Sequence, residues 1–160
     1  MRYMKDRDEA KDILNQGFYK ILKNLDKYDS KIPFEAWSSK IMVNTIIDEY
    51  RKNKKRIELV EHFDILLDAD NFSYAEANDA DEMFDAEAIE LMVQTLPKLS
   101  RIVFSMYAIE GYKHKEIAEK LGMNVNTSKW HVSAARKRLQ KMIKTSLNTS
   151  NSLNYGETPG

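Results

Sequence analysis

The chain has 160 residues, 42% of them hydrophobic, enough to bury one or two small cores but short for a large catalytic cleft, so two small domains are expected. It holds no cysteine and its three histidines, His62, His114 and His131, lie far apart in sequence, which excludes a disulfide framework and a thiolate zinc site; no metal and no cofactor is expected. The formal charge is zero, yet residues 1–57 hold 14 Lys/Arg and 9 Asp/Glu, residues 58–95 hold 0 and 12, and residues 96–160 hold 11 and 4, so two basic blocks, each suited to a polyanion, flank an acidic one.

The opening residues, MRYMKDRDEAKD, are charged and contain no apolar signal segment, and no apolar run approaches bilayer length. A cytoplasmic protein without membrane insertion is expected. With five glycines, three prolines and no sustained period-2 alternation, helical spacing dominates and the fold class should be all-α. Ala10, Leu14, Phe18, Ile21 and Leu25 step by 3 and 4, predicting an amphipathic helix closed by YDSKIP; on spacing alone Phe18 is expected to pack in the core.

A second helix is predicted from about Phe34 to about Lys52. Met42, Val43, Ile46, Ile47 and Tyr50 form its core stripe, while Trp37, Ile41, Asn44, Asp48 and Arg51 fall on another face that leads into the basic run RKNKKR, with Lys52, Lys54 and Lys55. An aromatic, an amide and a charge pair suit base edges, unstacked bases and phosphates. Asp48 is expected to pair with Arg51 or a backbone N–H. Asn44, unfavourable inside a helix, implies either a local cap or turn with Thr45, or a contact.

Residues 58–90 carry twelve acids and no Lys or Arg, which predicts a flexible linker with about one helical turn. At low salt this acidic stretch is expected to attract the basic blocks and mask them. Helical pattern resumes at about residues 84–95, and Pro97 precedes a helix whose buried face is Leu96, Leu99, Val103, Met106 and Tyr107, ended by Gly111. The tail from Leu147, NTSNSLNYGETPG, reads as disordered.

Between these lies EGYKHKEIAEKLGMNVNTSKWHVSAARKRLQ. Ile117, Ala118 and Leu121 form a short apolar face, Gly122 supplies a turn, Met123 plugs the corner and Asn124 is an N-cap, the spacing of a helix-turn-helix. In the next helix Ser128, Val132, Ala135, Leu139 and Met142 face inward. Asn126, Thr127, Lys129, Trp130, Ser133, Arg136 and Lys137 lie toward the groove-facing side, amides and hydroxyls for base edges, cations for phosphates.

The stretches DILNQGFYKILKNL, FEAWSSKIMVNTIIDEYRKNKK and LPKLSRIVFSMYAIEGYKHKEIAEKLGMNVNTSKWHVSAARKRLQ together resemble bacterial RNA polymerase sigma factors of the extracytoplasmic-function group, over well more than half the chain. The resemblance implies a first domain, residues 1–56, that binds core RNA polymerase and the −10 promoter element. An acidic linker at 57–83 would follow, then a helix-turn-helix domain at 84–146 for the −35 element and a disordered tail at 147–160. Double- and single-stranded promoter DNA and an anti-sigma factor are the further partners implied. Asp12, Asn15, Gln16, Phe18 and Lys20 would contact the polymerase; Trp37, Asn44, Asp48 and Arg51 would serve strand opening and −10 reading, with Asn44 at a pocket for an extruded base. Catalysis would belong to the polymerase, so the chain itself is expected not to be an enzyme.

The sequence departs from the family pattern in several places. Asn15 and Gln16 stand where Gln then Glu is common. Trp130 and His131 replace small, amide or basic residues, Ala134 replaces a frequent Arg, and Lys113 replaces a capping Ser or Thr. Relatives usually begin with a further helix, so this chain is expected to start inside the first domain, with an underpacked first core. The rival readings are a stand-alone helix-turn-helix regulator and a helical protein-binding adaptor.

Overall fold

A computed structural model of the chain describes residues 3–68 and 86–154, with side chains from 3 to 57 and from 87 to 146. Among the described residues every regular element is helical, so the fold is all-α. Helix α1, Arg7–Lys23, starts where the Asp6 carboxylate accepts the backbone N–H groups of Asp8 and Glu9 at 2.9 and 2.8 Å, satisfying two of the donors that a helix N-terminus leaves free.

The face that α1 buries differs from the expected one. Ala10, Ile13 and Gly17 are buried, whereas Leu14, Phe18, Leu22 and Leu25 are exposed. The reason is close approach: a Cβ on Gly17 would stand 2.1 Å from Met42 Sδ, so α1 crosses α2 at its small residues, and the neighbouring stripe of larger ones turns outward. Phe18, 58% exposed, therefore does not pack in the core. After a 3₁₀ turn at Leu25–Lys27, the YDSKIP segment is held locally: Tyr28 Oη donates to the Ile32 carbonyl at 2.7 Å, and Asp29 Oδ1 accepts from the Lys31 N–H at 3.0 Å.

Helix α2, Phe34–Asp68, follows Pro33 and runs far past the expected end near Lys52. Residues 57–68 of the expected linker are helical. No glycine or proline lies between Pro33 and Pro97, and the Glu and Leu residues of 57–68 favour propagation of a helix already nucleated. Residues 69–85 of the acidic stretch lie outside the described residues, as do the side chains of residues 58–86 on which the expected masking depends. The core stripe of α2 is as expected, with Val43, Ile46, Ile47 and Tyr50 buried. The helix passes through Asn44 and Thr45 without a break; Thr45 Oγ1 donates back to the Ile41 carbonyl at 2.9 Å.

Helices α3, Ala86–Gln94, and α4, Lys98–Ala108, meet at Pro97, whose carbonyl accepts the Arg101 N–H at 2.8 Å. Leu99, Ile102, Val103 and Met106 of α4 are buried, and each large aliphatic side chain there contributes about 1.5–3 kcal/mol. Gly111, at φ +74°, ends the segment. Helix α5, His114–Leu121, has Lys113 at its N-cap; a lysine side chain cannot accept, but Glu116 Oε2 accepts the Lys113 N–H at 2.8 Å, preserving half of a capping box.

Gly122 takes φ +63° and ψ 45°, the left-handed conformation that glycine adopts without penalty, and Met123 N–H then bonds the Ala118 carbonyl at 3.0 Å. Helix α6, Val125–Asn154, begins beyond Asn124, whose Oδ1 accepts the Asn126 N–H at 2.8 Å. It continues through residues 147–154, where a disordered tail was expected, because no glycine or proline interrupts the chain before Gly156. Residues 155–160 lie outside the described residues.

Buried residues from both halves form one cluster: Tyr3, Met4, Ile13, Val43, Ile46, Ile47, Tyr50 and Ile57 with Leu99, Ile102, Val103, Met106, Ile117, Leu121 and Val132. Val93, Leu96 and Ala135 form a smaller one with Phe104 and Leu139. Arg101, only 3% exposed, ties these parts together: Nε donates to the Tyr3 carbonyl at 3.1 Å and a terminal nitrogen to the Gln94 carbonyl at 2.6 Å.

Candidate nucleic-acid interface

Helix α6 presents the first candidate surface. Ser128, Val132 and Ala135 are buried and Leu139 and Met142 half-buried, which anchors one side of the helix. Asn126, Thr127, Lys129 and Arg136 are exposed, and Trp130, Ser133 and Lys137 are half-buried at the edge of that face. This is amide and hydroxyl beside three cations on the helix after the Gly122 turn, the chemistry that reads base edges and holds phosphates.

Two histidines shape this surface from behind, and spacing did not single out either. His131 is buried, with Nδ1 2.9 Å from Ser100 Oγ, and burial pulls its pKa from 6.5 down to about 4. It is a neutral core residue, three positions after buried Ser128 on the same ridge, and it meets the Trp130 ring edge-on at 4.9 Å. His114 has Nδ1 3.1 Å from Ser128 Oγ and stacks on Tyr107 at 4.4 Å, 15° from parallel. The Arg136 guanidinium lies over the other part of this stack, 5.6 Å from the Tyr107 centroid. Burial lowers the His114 pKa, and the charges of Lys129 and Arg136 lower it further.

The second surface lies on α2 and the turn before it. Trp37, half-buried, packs with Tyr28 at 5.1 Å and Phe34 at 5.7 Å, and Tyr28 meets Phe34 edge-on at 5.5 Å. Tyr28 and Phe34 were not among the expected site residues; the proline turn that brings them to Trp37 is what reveals them. Asp48 pairs with Lys20 Nζ at 2.9 Å rather than with Arg51, because the α1–α2 crossing delivers a cation from another helix. Lys52 lies 3.5 Å from Glu49 on its own helix, and Lys55 is exposed.

Asn44, Arg51 and Lys54 are engaged by the helix-turn-helix itself. Asn44 Oδ1 accepts from Lys120 Nζ at 3.3 Å, Arg51 Nε donates to the Lys120 carbonyl at 2.7 Å, and Lys54 Nζ donates to the Gly122 carbonyl at 2.6 Å. Of the residues expected to meet polymerase, Asp12, Asn15, Gln16 and Phe18 are exposed on α1, while Lys20 is half-buried in its pair with Asp48. Asp12 and Gln16 line a cleft with Asp6, Glu9, Ile13, Glu49, Asn53 and Arg56. Among the described residues no cluster of three or more His, Cys, Asp or Glu is placed to hold a metal, and no helix is long and apolar enough to cross a membrane.

Comparison with known proteins places this arrangement. Residues 1–56 match the family model for sigma-70 region 2, and residues 86–139 that for sigma-70, region 4. The RNA polymerase sigma factor CnrH of Cupriavidus metallidurans is 30% identical over 147 residues, covering 84% of this chain and 73% of that one. The RNA polymerase sigma factor SigV of Bacillus subtilis is 28% identical over 139 residues, covering 86% and 78%. Others at 24–27% identity bear the extracytoplasmic-function designation. The sigma factor RpoE of Bartonella quintana, solved with the anti-sigma factor NepR, shares the fold at a TM-score of 0.50 and 21% identity, covering 89% of this chain and 86% of that one. The chain belongs to the sigma-70 family of RNA polymerase sigma factors and is of the extracytoplasmic-function type, a transcription initiation factor that directs RNA polymerase to promoters.

Proposed function

We propose that the two halves divide promoter recognition between them. Residues 1–56 bind core polymerase through Asp12, Asn15, Gln16 and Phe18, and read and help open the −10 element through Trp37, Asn44, Arg51, Lys52, Lys54 and Lys55. Residues 84–146 read the −35 element with Asn126, Thr127, Lys129, Trp130 and Ser133, while Arg136 and Lys137 hold phosphates. Lys20 and Asp48 act as a structural pair between α1 and α2. The acidic stretch at 57–83 connects the two.

The observation that carries this reading is the presence in one chain of a helix-turn-helix face on α6 and an aromatic, amide and cation stripe on α2. One groove-reading helix suffices for a simple regulator; a second surface suited to unstacked bases fits a subunit that opens DNA. Catalysis belongs to the polymerase, and the chain works in the cytoplasm, where polymerase and chromosome meet. An anti-sigma factor is a fitting partner, since the RpoE of similar fold was solved with one.

Gel filtration of the purified chain with core polymerase tests the proposal. A one-to-one complex is expected, and Phe18→Ala should weaken it about tenfold while leaving thermal melting nearly unchanged, since the exposed ring contributes little to the free fold. A polymerase-independent dimer on a palindromic site would favour the stand-alone regulator instead.

A further inference from the structure

Three groups able to carry positive charge converge on the helix-turn-helix, and only two of them were expected there. Lys129 and Arg136 lie seven residues, two helical turns, apart on one face of α6. The third is His114, the first residue of α5. Its ring stacks on Tyr107 at 4.4 Å, and the Arg136 guanidinium lies 5.6 Å from the same Tyr107 ring. Imidazole and guanidinium are therefore no more than about 10 Å apart, one screening length at 0.1 M salt.

One side of the imidazole is fixed: Nδ1 lies 3.1 Å from the hydroxyl of Ser128, which is fully buried. A hydroxyl accepts as readily as it donates, so this bond survives in either charge state of the ring. Protonation makes both ring nitrogens donors, Nδ1 to Ser128 and Nε2 to a further acceptor. From α4 the imidazole meets Tyr107, and from α6 it meets Ser128 and the charges of Lys129 and Arg136. On its own helix Lys115 follows it and Glu116 accepts the Lys113 N–H. The cations that α2 brings to α5, Arg51 and Lys54, sit at the far end, on the Lys120 and Gly122 carbonyls. Burial and the two α6 cations hold the His114 pKa below its ordinary 6.5.

The first helix of a helix-turn-helix crosses the DNA backbone while the second lies in the groove, which sets His114 beside passing phosphates. We propose that His114 is a further phosphate-holding residue of this surface, neutral in the free chain and protonated on DNA, so that the chain binds DNA more tightly in mildly acid solution. The inference rests on the assignment of α6 to DNA. A phosphate drawn to Lys129 and Arg136 offsets the repulsion that those cations exert on the ring. The imidazole then takes a proton from solvent and donates a charge-assisted hydrogen bond to the phosphate oxygen.

The test is fluorescence anisotropy of the full chain on a labelled mixed-sequence duplex at pH 7.5 and pH 6.0 and fixed ionic strength, since phosphate contacts do not depend on sequence. The parent should bind about threefold tighter at pH 6.0, the result of raising one imidazole pKa by about one unit on DNA. His131, whose pKa is about 4, stays neutral over this interval. His114→Gln keeps a hydrogen-bonding group for Ser128 but cannot take the charge, and should bind equally at both pH values. Calorimetry of the parent in two buffers of different ionisation enthalpy should record about half a proton taken up per chain at pH 6.0.

A parent with one affinity at both pH values, or a His114→Gln variant that keeps the parent's pH dependence, would overturn the inference. If His114→Gln does not fold, His114→Tyr, which keeps a ring against Tyr107, takes its place, and absence of proton uptake by the parent still overturns it. Failure of the underlying reading looks different. Arg136→Ala and Lys137→Ala variants that bind the duplex as tightly as the parent would sink the assignment of α6 itself, whereas weakened variants beside a pH-indifferent parent would sink the role of His114 alone.

Discussion

His131 shows how one side chain can set the conditions under which the α6 surface exists. Its pKa is about 4 when folded and about 6.5 when unfolded, so between these values the unfolded chain binds a proton that the folded chain does not. Stability from this group is therefore fully present above about pH 6.5 and is lost as pH falls toward 4. Integrated over that interval the loss is about 3 kcal/mol. Urea unfolding of the parent and of His131→Gln at pH 7 and pH 4.5 checks it: the parent should lose more stability than the variant. Equal losses would mean that the buried imidazole is hydrated or charged. Asp48 shows the same dependence on context, since its partner Lys20 lies 28 positions away and cannot be found by looking along α2.

At the scale of elements, the turn between α5 and α6 depends on Gly122. Any side chain there must take a left-handed backbone, and its Cβ would also stand 3.3 Å from Lys54 Nζ. Gly122→Ala should cost about 1–2 kcal/mol in urea unfolding. A neutral result would show that the backbone relaxes into another turn. On α6, Arg136→Ala and Lys137→Ala should each weaken binding to a −35 duplex similarly across sequences and lower the salt slope by about one unit. Lys129→Ala and Trp130→Ala should instead change sequence preference. Identical affinity for all four variants would mean that this face does not meet DNA.

These elements also show what could be read in advance. Gly122, Asn124 and the inward series Ser128, Val132 and Ala135 were legible because turn chemistry and helical period are local. The buried face of α1 was not, because two adjacent stripes satisfy the same period and only the close pass of Gly17 against Met42 selects Ala10, Ile13 and Gly17. The length of α2 was missed because acidic composition suggests a linker, while the absence of glycine and proline permits a helix. The burial of His131 is set by Ser100 on another helix, and the cations of α2 found carbonyl partners on α5 that no spacing could indicate.

At the scale of the whole molecule, α2 and the helix-turn-helix touch, through Arg51 and Lys54 on the Lys120 and Gly122 carbonyls. The central claim is that the chain selects promoters and opens them as a polymerase subunit, with Asn44 reading one −10 base. The most direct measurement is transcription from fragmented genomic DNA by core polymerase with and without the chain, mapping start sites and permanganate-reactive thymines. The account predicts new starts that share two upstream elements, with Asn44→Ala lowering discrimination at one −10 base by about tenfold to a hundredfold, the worth of one base contact. Starts no different from those of core polymerase alone would contradict it.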